Sequence, residues 1–253
     1  MYPSTTHSLL LDLSLDINPQ KSFIFFGGVG SIHKHSILTT SGFREGQFPF
    51  TYLGVPLSPH RLLAIKFSPL LQDLQSSVQG WIGKHLLYAG RLELLRSVLF
   101  GKVQFWLNIF PIPATVMRNI ISICRNFLWT GDVRRSTLTL VAWKTVCMPK
   151  AEGGLGLFDL CAHNRSFLGK QLWHIHLKTD SVWIRWIHHF YLSSGTIWTV
   201  QARPSSSPLW KAIVSVRDLI FQHCGDSEVE SISLMNRWST AAGPFLAHAY
   251  DFF

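Results

Sequence analysis

The chain has 253 residues, 47% of them hydrophobic and 15% charged, a balance that excludes an intrinsically disordered protein and suffices for a sizeable core. Its formal net charge is +9, and all of it lies in the middle. Residues 80–185 carry 14 Lys and Arg against 5 Asp and Glu, whereas residues 1–79 (5 against 4) and 186–253 (4 against 5) are nearly neutral. Such a block suits phosphate contact, and equally suits a helical surface whose cations face water.

In chain order, Asp12 and Asp16 interrupt the only early apolar run, and no basic segment precedes it, so no secretory signal is expected. Ser22–Val29 is a β-rich apolar run between the turn signal Asn18-Pro19 and paired glycines. Phe48, Phe50, Tyr52 and Val55 continue in short extended pieces punctuated by Pro49, Gly54 and Pro56. Helices are predicted next. Ser68 reads as an N-cap before Pro69, and Leu70, Leu71, Leu74 and Val78 form a stripe. A second helix, about Ala89 to Leu107, places Leu92, Leu95, Leu99 and Val103 on one face, with Arg91 and Arg96 off it. Pro111 and Pro113 end that helix and also interrupt Val103–Met117, the longest uncharged apolar stretch, which falls short of the roughly 20 residues of a membrane span. A third helix runs to about Trp129 on Val116, Ile120, Ile123, Phe127 and Leu128, with Gly131 as its C-cap. Asn164–Lys178 and Val182–Tyr191 follow as helices, Ser205–Pro208 reads as a linker, and Leu209–Gln222 as a last helix.

Between these lies AWKTVCMPKAEGGLGL, Ala142 to Leu157. Its glycines permit positive φ and close backbone approach, so it reads as a tight connector. It lacks the Gly-x-Gly-x-x-Gly and Gly-Lys-Ser/Thr patterns of phosphate-binding loops. His174, His176, His188 and His189, with Cys161, invite a metal reading, but neither Cys-x2-4-Cys nor His-x3-5-His spacing is present. Cys124, Cys147, Cys161 and Cys224 show no paired spacing and read as reduced thiols. Trp143, Trp173, Trp183 and Trp186 stand near basic residues, as base-stacking platforms do. Their neighbours are Leu, Ile and Phe, which favours the buried core.

Several blocks occur in a telling order: INPQKS at Ile17–Ser22, YLGVPL at Tyr52–Leu57, LLYAGRLELLRSVL at Leu86–Leu99, FLWTG at Phe127–Gly131, the Ala142–Leu157 connector, and NRSFLGKQLW at Asn164–Trp173. Together they resemble plant non-LTR (LINE-type) retrotransposon reverse transcriptases, in the part that follows the catalytic Tyr-Ala-Asp-Asp hairpin and precedes the zinc-binding segment. Residues from about Asp226 resemble nothing in that family. The resemblance implies that Lys21 matches a lysine near the incoming nucleotide's phosphates, and that Tyr52, Leu53 and Gly54 match the primer-grip turn. It implies contact with an RNA–DNA duplex, for which Arg91, Arg96, Arg118, Arg125, Arg134 and Arg135 are the candidate backbone contacts. Two-metal chemistry needs clustered carboxylates, and this chain has neither Asp-Asp nor Asp-x-Asp.

The expected fold is therefore mainly α: a short β remnant of a polymerase palm at 1–60, a helical thumb- or connection-like body at 61–203, and a C-terminal helical segment and tail at 204–253. The expected function is that of a catalytically incomplete fragment of a LINE-type RNA-directed DNA polymerase. It retains at most weak, non-specific RNA or DNA binding, with no cofactor, since magnesium would belong to the missing active site. Nuclear or cytoplasmic placement without membrane contact is expected. A helical protein–protein interaction module is the alternative, and an enzyme built on the His and Cys residues is a third reading.

Overall fold

The computed structural model describes residues 18, 20–52, 54–58, 64–82, 86–134, 141–193, 195–240 and 245–253. The chain divides into two units, Met1–Leu62 and Leu63–Phe253.

The first unit holds little regular structure. Strand β1 (Phe23–Ile24) pairs in parallel with β2 (Arg44–Glu45), and the 11-residue helix α1 (Ser31–Ser41) connects them. The expected β-rich run thus shrinks to two paired residues, and a helix appears where none was anticipated. α1 buries none of its residues, so it carries no apolar stripe by which periodicity reveals a helix. Strands β3 (Phe50–Tyr52) and β4 (Val55–Leu57) form an antiparallel hairpin in which Tyr52 faces Val55 across the turn. Phe25, Phe48 and Phe50 pack together, with Phe25 stacked on Phe50 at 3.8 Å between ring centres.

The second unit is helical throughout. A 3-10 turn (Ala64–Phe67) leads into α2 (Ser68–Gln79), which buries Leu70, Leu74 and Val78, so the cap lies at Phe67, one residue before the expected Ser68. α3 (Tyr88–Leu94), a π-turn (Leu95–Leu99) and α4 (Phe100–Ile109) form one run that matches the expected second helix. α5 (Ala114–Thr130) buries all five predicted apolar residues and ends on Gly131 at φ 75°, a left-handed C-cap that a Cβ would strain. α5 packs against both α2 and α3, closing one core. Phe67 sits against Trp106, and Trp81 against Phe127.

The other half turns on α7 (Leu160–His176), which follows the short α6 (Trp143–Cys147) and the connector. α7 touches α4, α8 (Val182–Phe190), α9 (Pro208–His223) and α11 (Phe245–Phe252), and α10 (Glu228–Thr240) packs on α9 and α11. The C-terminal residues pack with the helices before them, within the compact unit that runs to Phe253. They complete a core with Leu172, Ile175, Ile187, Trp210, Ile213, Met235 and Trp238. Burial of such side chains contributes about 1.5–3 kcal/mol each. Glu228 and Glu230 occupy the first turn of α10, where they complement the helix dipole. No helix among the described residues is long and apolar enough to cross a membrane.

Candidate nucleic-acid interface

The six candidate arginines separate into two kinds. Arg91 and Arg96 face the interior. The Arg91 Nε–H donates to the Leu86 carbonyl at 3.1 Å, and Nη1 donates to the carbonyls of Leu128 and Trp129 at 3.4 and 3.2 Å. Those two carbonyls end α5, so the guanidinium caps that helix and complements its negative pole. The Arg96 Nη2 donates to the Leu155 carbonyl in the Gly-rich connector. Arg96 lies within the π-turn, an insertion that is rare in helices and frequent at functional positions. Each arginine thereby ties its own motif block to another: Arg91 to FLWTG, Arg96 to GGLGL. Of the donors on these two half-buried arginines, Nε and Nη1 of Arg91 and Nη2 of Arg96 serve carbonyls within the fold.

Arg118 and Arg125 behave otherwise. They lie seven residues apart on α5, so their side chains leave the helix within about 20° of each other and about 10 Å apart along the axis. Arg118 is exposed, and Arg125 is half-buried beside Cys124 and Leu128. Among the described residues neither side chain forms a hydrogen bond or ion pair, and the Arg125 Nε is buried without a partner. Trp129, four residues on, stands nearly on the same side, and its Nε1 is likewise buried and unpartnered. Tyr88 covers the Trp129 ring at 5.6 Å, and burial pushes the Tyr88 phenol up.

Just past α5, the Thr130 hydroxyl bonds the Asp132 carbonyl and the Asn126 amide donates to Val133, holding the chain against the helix end. Arg134 is exposed there, its backbone N–H donating to the Asp132 carboxylate at 2.9 Å. Arg135 lies outside the described residues.

The connector leaves no cradle for phosphate. The amides of Gly153, Gly154, Leu155 and Gly156 donate to the carbonyls of Lys150, Pro149, Val146 and Met148 at 2.8–3.2 Å. Gly154 lies so close to Met148 that a Cβ would collide with its backbone. The same economy governs Asn164, whose amide donates to Leu107 and Phe110 at 3.3 Å and caps α4.

In the first unit Lys21 is exposed and its backbone N–H closes a turn on Asn18. Tyr52 is 61% exposed at the end of β3, and Gly54 adopts φ 81° in the hairpin turn, while Leu53 lies outside the described residues. Tyr52 and Gly54 thus lie in the tight turn of the β3–β4 hairpin.

The histidines do not converge. The His176 Nδ1 accepts from the Trp198 indole at 3.2 Å, His188 Nε2 bonds the Ile175 carbonyl at 2.9 Å, and His174 meets the Thr179 hydroxyl. Among the described residues no group of three or more His, Cys, Asp or Glu is placed to hold a metal ion. Burial pushes the Cys124 and Cys147 thiols up to about 12, which makes them poor nucleophiles.

No protein-family model matches the chain. Over 175 residues, 68% of its length, it is 27% identical to an Arabidopsis thaliana protein named "Putative ribonuclease H protein". That match spans 28% of the relative, so the chain corresponds to well under a third of it. Over 115 residues, 45% of the chain, it is 24% identical to an uncharacterized mitochondrial protein of Arabidopsis thaliana, of which it covers 75%. Both relatives come from the same plant.

Of the four tryptophans weighed as stacking platforms, Trp173 is buried and Trp143 and Trp183 are half-buried, whereas Trp186 is exposed. The neighbouring apolar residues favour the core for all four, and Trp186 departs from that expectation. The available signal is α8 itself, whose six apolar residues in nine exceed what one buried face of a short helix takes.

Proposed function

We propose that this chain is retroelement-derived and acts as a nucleic-acid-contacting, thumb- or connection-like part of a LINE-type reverse transcriptase, lacking polymerase activity of its own. The order of the sequence blocks supports the descent, as does a relative whose name places it with ribonuclease H proteins. The observation that carries the binding role is the free arginine pair on α5. Arg118 and Arg125 project from one helix side, and among the described residues neither side chain has a hydrogen-bond or ion-pair partner; the Trp129 Nε1 on the same side is unpartnered as well. Their spacing along the helix, about 10 Å, is close to three steps of 3.4 Å along a duplex strand. Contacts of this kind position a duplex without reading its sequence.

Binding to an RNA–DNA duplex is then weak, indifferent to sequence and steeply salt-dependent. Changing Arg118 and Arg125 together to Ala lowers affinity and flattens the plot of log K against log salt by up to about two units. Arg237→Ala, on α10, leaves the slope as it was. An unchanged slope in the double variant overturns the reading and favours a helical protein-interaction module. The polymerase metal ions then belong to residues outside this chain, which has no adjacent carboxylates to clamp them. Template-dependent primer extension by the purified chain with Mg²⁺, above a buffer control, would refute that part.

A further inference from the structure

On α8, Ile184 and Ile187 enter the core while Trp186 and Phe190 turn outward, 45% and 62% exposed. With Tyr191 they form the aromatic wall of an open pocket of about 550 Å³, a volume within the range of small-molecule sites. The wall is fixed. Trp186 packs on Phe190 at 5.0 Å and on Tyr191 at 5.6 Å between ring centres. Tyr191 in turn stacks on the buried Trp210 at 4.5 Å, and its hydroxyl accepts from the Ser207 N–H.

Facing this wall is the segment from Thr199 to Ser206, and it is polar. Its hydroxyls and the Gln201 amide offer donors and acceptors, and Arg203 is the charged residue of the lining, which contains no acid. The Arg203 backbone N–H is pinned by the Ser206 hydroxyl at 3.1 Å, while its guanidinium forms no hydrogen bond or ion pair among the described residues. A flat π surface, a few neutral hydrogen-bonding groups and one uncompensated cation select a ligand with an aromatic ring and a negative charge. A purely apolar ligand would leave the polar side unpaired, and a base paired within a duplex cannot offer its face.

We propose that this pocket binds one unpaired nucleotide of a single-stranded nucleic acid, with the base stacked on Trp186 and the phosphate against Arg203. The site shares no residue with the α5 face and stands independently of the duplex reading.

The full chain is titrated by fluorescence anisotropy with a short labelled oligothymidylate, with a blunt-ended two-strand duplex, and with thymidine monophosphate as competitor. Trp186→Ala weakens oligothymidylate binding about tenfold, the effect of losing one base–aromatic stack, and leaves duplex affinity unchanged. Trp186→Phe keeps most of the affinity, and Arg203→Ala lowers the salt slope on the single strand by about one unit. The monophosphate competes only weakly. Parent-like oligothymidylate binding in a folded Trp186→Ala chain overturns the proposal, as does equal loss on single strand and duplex. Absence of oligothymidylate binding by the parent chain does so too, and monophosphate binding as tight as the oligomer's replaces the strand with a free nucleotide. Loss of duplex binding alone counts only against the α5 face.

Discussion

Gly154 and Gly101 are both glycines in the helical unit, and their surroundings give opposite expectations. A Cβ on Gly154 would run into the Met148 backbone, whereas one on Gly101, early in α4, meets nothing within 4 Å. Gly154→Ala should therefore lower unfolding stability by about 2 kcal/mol or more, since the obstacle is main chain and cannot rotate away. Gly101→Ala should raise it by about 0.5–1 kcal/mol by removing helix-interior glycine entropy. Urea denaturation of the two variants decides, and a tolerated Gly154→Ala would contradict the packing of the connector. The glycines of this stretch were legible as a turn from the sequence alone. That Arg96 grips the Leu155 carbonyl was not, because the contact joins residues 59 apart in the chain.

At the scale of elements, α7 shows how much a cap and its neighbours determine. Asp159 accepts from the N–H groups of Cys161 and Ala162 at 2.8 and 3.2 Å, starting the helix four residues before the expected Asn164. An Asp immediately before an apolar residue is a readable N-cap, and the apolar periodicity masked it because α7 buries residues on several sides. The same helix carries three histidines whose pKa values are lowered from 6.5. Burial is the main cause for His163, His174 and His176, with Lys170 adding to it at His174 and Glu228 opposing it at His176. Their neutral forms are preferred in the fold, so below pH 6.5 the unfolded chain binds more protons than the folded one. This stability is complete above that pH and is lost as the pH falls through the lowered values. The urea midpoint should drop between pH 7.5 and pH 5.5, and a His163→Gln, His176→Gln chain should show a smaller drop. A larger drop in the double variant would count against the assignment.

For the whole molecule, the division falls between residues 62 and 63. The chain 63–253 contains α2 to α11 with both of its cores, including the tail helices that close on α7. Tyr250 on α11 accepts a hydrogen bond from the Asp159 N–H at 2.8 Å, so the tail bears directly on the start of α7. The 63–253 chain should fold alone, with a cooperative thermal transition within a few degrees of the full chain's. Further removal of residues from 226 onward should broaden or abolish it. If 63–253 aggregates while the full chain is monodisperse, the first unit contributes to the fold after all.

Helix type and approximate extent for α2 to α5, α8 and α9 were determined by the sequence itself, because apolar spacing, prolines and cap glycines act within a few residues of one another. The mainly α class follows from the same local signals. Which arginines face the interior and which face water was decided only by the tertiary structure. Arg91 and Arg118 read alike on a helical wheel, yet one meets the open carbonyls of α5 and the other meets none. The tail helices and the exposure of Trp186 are likewise products of packing: burial depends on which surfaces meet, and those surfaces come from distant parts of the chain.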